Sequence, residues 1–161
     1  MINYGKQSLD FKDIKEVIKV LKTDFITQGN KINEFEKKLT KKFGSKYCTV
    51  VSSGTSALHL AGLALNWKKG DIVLTSPISF LASANCILYS KATPDFADID
   101  EKTFTLDPNK VETKIKYYKK KEKKIKSIIG VDYAGHPCDW ESLRYLSNKY
   151  NISLINDNCH A

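Results

Sequence analysis

The sequence has almost no arginine: Arg144 stands alone among 26 basic residues, the other 25 being lysine. Specific phosphate or base readout draws on arginine's two-pronged guanidinium, so the net charge of +8 is a poor sign of a nucleic-acid binder. The charge is also local. Residues 114–126 carry eight lysines against one glutamate, which leaves the rest of the chain at +1. A solvated helix end or loop accounts for such a run. Tyr117 and Tyr118 inside it keep weak RNA contact as the alternative, but nucleic acid is not the expected partner.

Long apolar runs are scarce too. The longest, Ala57–Leu65 and Ile78–Tyr89, are interrupted by His59 and by Ser79, Ser83 and Asn85. Both fall well short of the roughly 20 residues of a membrane span. The opening Met-Ile-Asn-Tyr-Gly-Lys has no apolar signal core, so a cytoplasmic protein with no membrane partner is expected. Cys48, Cys86, Cys138 and Cys159 form no CxxC or CxxH pair, so neither a metal site nor a redox couple is indicated. They should be reduced and mostly buried. Neither the P-loop pattern nor GxGxxG is present.

What is there fits one soluble domain: 161 residues, 42% hydrophobic and 27% charged, enough chain for a core without staples. The apolar period alternates between helix-like and strand-like. Asp10 caps a helix to about Lys22 with Phe11, Ile14, Val17, Ile18 and Leu21 on one face. Asn30 opens a second helix, which Gly44 closes. Tyr47–Val51 reads as a strand, and Ala57–Leu65 as a helix apolar nearly all round and therefore buried. Strands follow at Ile72–Thr75, Pro94–Asp98, Ile125–Val131 and Ile152–Ile155. Helices lie between them at Phe80–Tyr89, from Pro108, and at Trp140–Tyr150. This alternation predicts an α/β fold, a mostly parallel sheet with helices on both faces.

In such sheets ligands collect at the carboxyl ends of strands. Gly54-Thr55-Ser56, Asp132, Asp157 with His160, and the Phe80 helix start all fall there. Small residues at Ser53–Ser56 let backbone N–H groups converge on an anion, or form an ordinary helix cap. Asp157 could set a negative charge beneath a protonated heterocycle, with His160 donating nearby, or cap the next helix. Phe80 could stack on a flat ligand or fill core. Asp132-Tyr133-Ala134-Gly135 could hold a substrate or make a tight turn. His59 and His136 read as structural.

Six segments in order carry a resemblance: Ile26–Gly29, Ser53–Leu58, Ser76–Phe80 through Ala84-Asn85, Thr93–Asp98, Val131–Gly135 and Asp157–Ala161. Together they resemble the DegT/StrS-like nucleotide-sugar aminotransferases, a branch of the pyridoxal-phosphate (PLP) enzymes with the aspartate-aminotransferase fold (fold type I). Pro77–Phe80 and Val131–Gly135 are similar to those of transaminases that aminate C4 of a UDP-4-keto-6-deoxy-N-acetylhexosamine on the pseudaminic acid route. The resemblance implies that Gly54, Thr55 and Ser56 anchor the cofactor phosphate and that Phe80 stacks on the pyridine. It implies that Asp157 pairs with the ring nitrogen and keeps it protonated, that His160 lies near the phenolic oxygen or ring edge, and that Asp132 faces the sugar. The implied partners are a nucleotide sugar, an amino-acid amino donor such as glutamate, and a second subunit in a homodimer.

The family's Schiff-base lysine lies beyond Ala161, and no lysine here matches it. Residues 1–161 are accordingly expected to be the N-terminal portion of the PLP-binding large domain, without its remainder or the small C-terminal domain. Alone, the segment is expected to be inactive and, with an apolar sheet edge uncovered, to aggregate. Two alternatives stand beside this reading. One is a PLP-dependent sugar dehydratase of the same fold, with histidine for the lysine; the other is a non-catalytic truncated binding protein using the lysine run.

Overall fold

In the computed structural model of the chain, which describes residues 6–161, Asp10 begins helix α1 (Phe11–Leu21). Its carboxylate accepts the backbone N–H groups of Lys12 and Asp13 at 2.7 and 3.1 Å, and Asp13 accepts that of Asp10 at 2.9 Å. This reciprocal box satisfies donors that the helix cannot. Helix α2 (Asn30–Phe43) ends where Gly44 turns left-handed, at φ +62°. Lys31 ties the two helices, 2.9 Å from Glu34 and 3.4 Å from Glu16. The apolar stripe of α1 is exposed throughout, as are Ile32, Phe35 and Phe43 on α2. Met1–Gly5, part of the stretch without a signal core, lie outside the described residues.

The chain divides into two units between Val50 and Val51, where length alone suggests one domain. The second unit is built on four parallel strands, β1 (Ile72–Thr75), β2 (Thr93–Phe96), β3 (Ile125–Val131) and β4 (Ser153–Asp157), in the order β2-β1-β3-β4. Pro94 sits in β2 at the sheet edge, where its missing N–H costs no ladder bond. Side chains alternate between two apolar layers. Val73, Ile129 and Val131 face α3 (Gly54–Ala64) and α4 (Ala82–Tyr89); Leu74 and Ile128 face α5 (Pro108–Lys120) and α6 (Trp140–Tyr150). The Trp67 indole N–H donates to Ser127 Oγ at 2.8 Å within the first layer. Two glycines admit rings: a Cβ on Gly62 would lie 2.5 Å from Trp67, and one on Gly130 would lie 2.6 Å from Trp140.

Several expectations are corrected. Tyr47–Val51 pairs with no strand among the described residues; the Val50 N–H donates instead to Glu36 Oε1 at 2.9 Å. Helix α3 is only half covered: Leu58 and Gly62 are buried, but Leu60 and Leu63 face outward, because one sheet face covers one side of a helix. Helix α4 starts at Ala82, so Phe80 belongs to the turn before it. The lysine run is the second half of α5 and the turn into β3. All four cysteines are free, but Cys159 is exposed and Cys48 half-buried, so only two are buried.

Candidate functional site

Strand β1 has β2 on one side and β3 on the other. The loops leaving β1 and β3 therefore diverge at the carboxyl edge and open a crevice there. A cavity of about 250 Å³ occupies that crevice, and Gly54, Thr55, Phe80, Asp132, Asp157 and His160 line it. Six of the seven residues singled out in the sequence thus converge from four segments spread over a hundred positions. Larger hollows, about 420 Å³ beside Thr23–Lys31, about 630 Å³ beside Asp95 and Lys114 and about 270 Å³ beside Glu16 and Leu21, hold none of them.

The seventh, Ser56, is not on the cavity wall. Its hydroxyl lies 3.0 Å from Ser53 Oγ and 3.3 Å from Ser52 Oγ, and Ser53 Oγ accepts its backbone N–H at 3.2 Å. Capping accounts for Ser56. An α-helix cannot bond its own first-turn N–H groups, and at α3 Gly54 and Thr55 bring that end to the cavity.

Phe80 is 75% exposed although it lies in an apolar run. The Ser76–Leu81 turn holds it out at the cavity mouth: Ser76 Oγ accepts the Ile78 N–H at 3.2 Å, and Phe80 O accepts the Ser83 N–H at 3.1 Å. Asp157 is the opposite case, a carboxylate only 7% exposed at the end of β4. Ser83 Oγ donates to its Oδ2 at 2.7 Å, and the Cys159 N–H reaches Oδ1 at 3.4 Å. No lysine or arginine ion-pairs with Asp157 among the described residues. Its charge marks the thiols around it. Burial and then the Asp157 charge push Cys86 up to about 11; hydrogen bonding to Asp157 and then burial push Cys159 up to about 11.

Asp132, 5% exposed, follows β3 and continues the ladder, its N–H donating to Asp157 O at 3.0 Å. One oxygen is committed to the fold: Oδ1 accepts the Cys138 N–H at 2.9 Å and the Trp140 indole N–H at 3.0 Å. The tight-turn reading of Asp132–Gly135 also holds. Ala134 and Gly135 are both left-handed, at φ +51° and +86°, and a Cβ on Gly135 would lie 2.9 Å from His160 O. His59 packs edge-on against Tyr89, with ring centroids 5.4 Å apart, as a structural histidine does.

Sequence reasoning missed Ser79 and Cys159 on the cavity wall, and Ser83 behind it; Tyr133, also on the wall, came only as part of the Asp132–Gly135 segment. A signal existed for the serines: two hydroxyls four residues apart interrupt the apolar run Ile78–Tyr89. Among the described residues no helix is long and apolar enough to cross a membrane.

Known proteins share this fold. The sequence profile of the DegT/DnrJ/EryC1/StrS aminotransferase family matches residues 7–161. The UDP-4-amino-4,6-dideoxy-N-acetyl-beta-L-altrosamine transaminase of Campylobacter jejuni serotype O:2 is 40% identical over all 161 residues, which span 42% of that protein. Helicobacter pylori PseC, an aminotransferase involved in the biosynthesis of pseudoaminic acid, superposes with a TM-score of 0.86 at 34% identity, covering 99% of this chain and 42% of its own. NtdA of Bacillus subtilis, solved with bound PMP, superposes with a TM-score of 0.82 at 30% identity, covering 94% of this chain and 34% of its own. The chain spans about two fifths of the length of the curated relatives it matches.

Proposed function

The chain belongs to the DegT/DnrJ/EryC1/StrS aminotransferase family, and from that premise we propose that the whole protein is a PLP-dependent transaminase acting on a nucleotide sugar. The amino group, drawn from glutamate, goes to C4 of a UDP-4-keto-6-deoxy-N-acetylhexosamine for a surface glycan or a pseudaminic-acid-type sugar. The observation that carries this reading is the pairing of opposites in one cavity: Phe80 exposed at its mouth, Asp157 buried in its wall and, among the described residues, ion-paired to no lysine or arginine.

The residues present fit the cofactor. A buried carboxylate is costly unless a cation or several donors meet it, and a protonated ring nitrogen is such a cation. Phe80 offers an apolar face to a flat ring. Gly54 and Thr55 bring the positive end of α3 and a hydroxyl to the same wall, which suits a phosphate. A cavity of about 250 Å³ lies just under the roughly 300 Å³ at which small-molecule sites begin. That volume suits one substituted pyridine rather than a ring together with a nucleotide sugar.

When bound, PLP supplies an electron sink whose protonated ring draws off the electron pair left by proton removal. The work of this segment is to hold and polarise. Asp157 would keep the proton on the ring nitrogen, Phe80 would stack on the ring, and Gly54 and Thr55 would hold the phosphate. His160, on the same wall, would lie near the phenolic oxygen or the ring edge. Asp132, with one oxygen tied to Cys138 and Trp140, would offer its other to the sugar.

The test is turnover by the full-length protein. With PLP, glutamate and the UDP-4-keto sugar, mass spectrometry should find a 4-amino sugar and one 2-oxoglutarate for each. No amination under saturating cofactor and donor overturns the reading.

A further inference from the structure

We propose that Ser83 is the positioning residue that locks the Phe80 turn and the Asp157 carboxylate into one register for the cofactor ring. The inference rests on the PLP reading above and deepens it, naming what sets the geometry of the two groups between which the ring would lie.

Ser83 is 1% exposed, in the first turn of α4. It bonds in two directions. Its backbone N–H donates to Phe80 O at 3.1 Å, and its hydroxyl donates to Asp157 Oδ2 at 2.7 Å. One residue therefore ties a loop after β1 to the end of β4, although 74 positions separate Ser83 from Asp157 and β3 lies between the two strands.

The hydrogen count fixes the direction of a longer chain. A serine hydroxyl has one hydrogen, and that of Ser83 is spent on the carboxylate. The 2.6 Å contact between Ser79 Oγ and Ser83 Oγ must then run from Ser79 as donor. The order Ser79 to Ser83 to Asp157 polarises each bond in the same sense. Ser79, on the cavity wall, has spent its hydrogen inward and presents only lone pairs to a ligand. The chain of bonds ends on Oδ2, while the Cys159 N–H reaches Oδ1 at 3.4 Å and the Cys159 thiol hydrogen-bonds to the same carboxylate. The Ser83 bond thus sets the orientation in which the carboxylate would meet a ring N–H.

The alternative is that Ser83 merely satisfies buried polar groups. The two roles separate experimentally in the full-length protein, using PLP as probe, with the cofactor's dissociation constant and the visible circular dichroism per bound cofactor as readouts. The dichroism reports how firmly the ring is oriented. Ser83→Ala should weaken PLP binding about tenfold, the scale of one hydrogen bond to a charged group, and remove at least half of the visible dichroism. Ser83→Thr, which keeps the hydroxyl, should restore both. Ser79→Ala, at a half-buried loop position that folding tolerates more easily, should shift both readouts the same way by a smaller factor. If Ser83→Ala and Ser79→Ala both bind PLP with wild-type affinity and wild-type dichroism, the positioning role is wrong while the transaminase reading stands. If the wild-type protein itself fails to bind PLP, the transaminase reading falls first.

Discussion

Gly54 and Cys159 approach so closely that a Cβ on the glycine would stand 2.7 Å from the cysteine Sγ. The contact joins the start of α3 to the loop after β4 across the cavity wall, so the two sides of the site are set against each other with no room for a methyl group. Gly54→Ala gains helix propensity, at most about 1 kcal/mol, and meets overpacking of about 1–3 kcal/mol. The clash wins, and urea unfolding should show a net loss of about 1 kcal/mol. In a Cys159→Ala background the same change should be neutral or stabilising. Equal losses in both backgrounds would mean that the two residues do not press on each other.

Cys159 is exposed and should nevertheless be slow to react. With the thiol pushed up to about 11, about one in three thousand is ionised at pH 7.5, and the thiolate is the nucleophile. The largest cause is hydrogen bonding to Asp157. Asp157→Asn should therefore speed iodoacetamide labelling of Cys159 several-fold in the apoprotein, read by peptide mass spectrometry. An unchanged rate would remove Asp157 as the cause.

Glu112 joins α5 to α6 and gives the unit a defined acid response. Its carboxylate accepts from Lys116, Lys149 and the Tyr150 hydroxyl, each at 2.8 Å. Those hydrogen bonds hold it down to about 2, from 4.5. A group depressed in the folded state adds stability that is complete above 4.5 and is lost as pH falls towards 2. The wild type should lose its advantage over Glu112→Gln across that window in thermal melts, and keep it constant from pH 6 to 8. A constant difference down to pH 2 would contradict the assignment.

Trp140 holds Asp132 in place. Its indole N–H donates to a carboxylate that is almost wholly buried. Trp140→Phe removes the donor together with the outer indole carbons that cover Gly130, so denaturant unfolding should show a loss of at least about 2 kcal/mol. Asp132→Asn should lose less in the Phe background than in the wild type, because the two changes break the same bond.

Local rules made the elements legible. Asp10, Gly44 and Asp107 with Pro108 mark helix ends by their own chemistry, and β1 and β3 appear because burial on both faces demands mostly apolar runs. The candidate site was legible as well, since strand-end residues must meet wherever strands are parallel. Three things were hidden. Tyr47–Val51 has the composition of a strand, but pairing is decided by neighbours and not by composition. Helix α3 looks buried because apolar content does not say how many sides a sheet covers. The Ser79–Ser83–Asp157 chain joins residues far apart in sequence, and a serine in an apolar run does not name its acceptor.

The strand order sets a timetable as well as a shape. Gly54 and Thr55 meet Asp157 and His160 only after β4 has docked beside β3, and about a hundred residues are synthesised between the two ends. At roughly 5–20 residues per second that interval is about 5–20 s. Through it the nascent chain carries the start of α3 and the Phe80 turn without the Asp157 carboxylate that shares their cavity. These four segments of the cavity wall therefore come together only when β4 arrives, and not in stages.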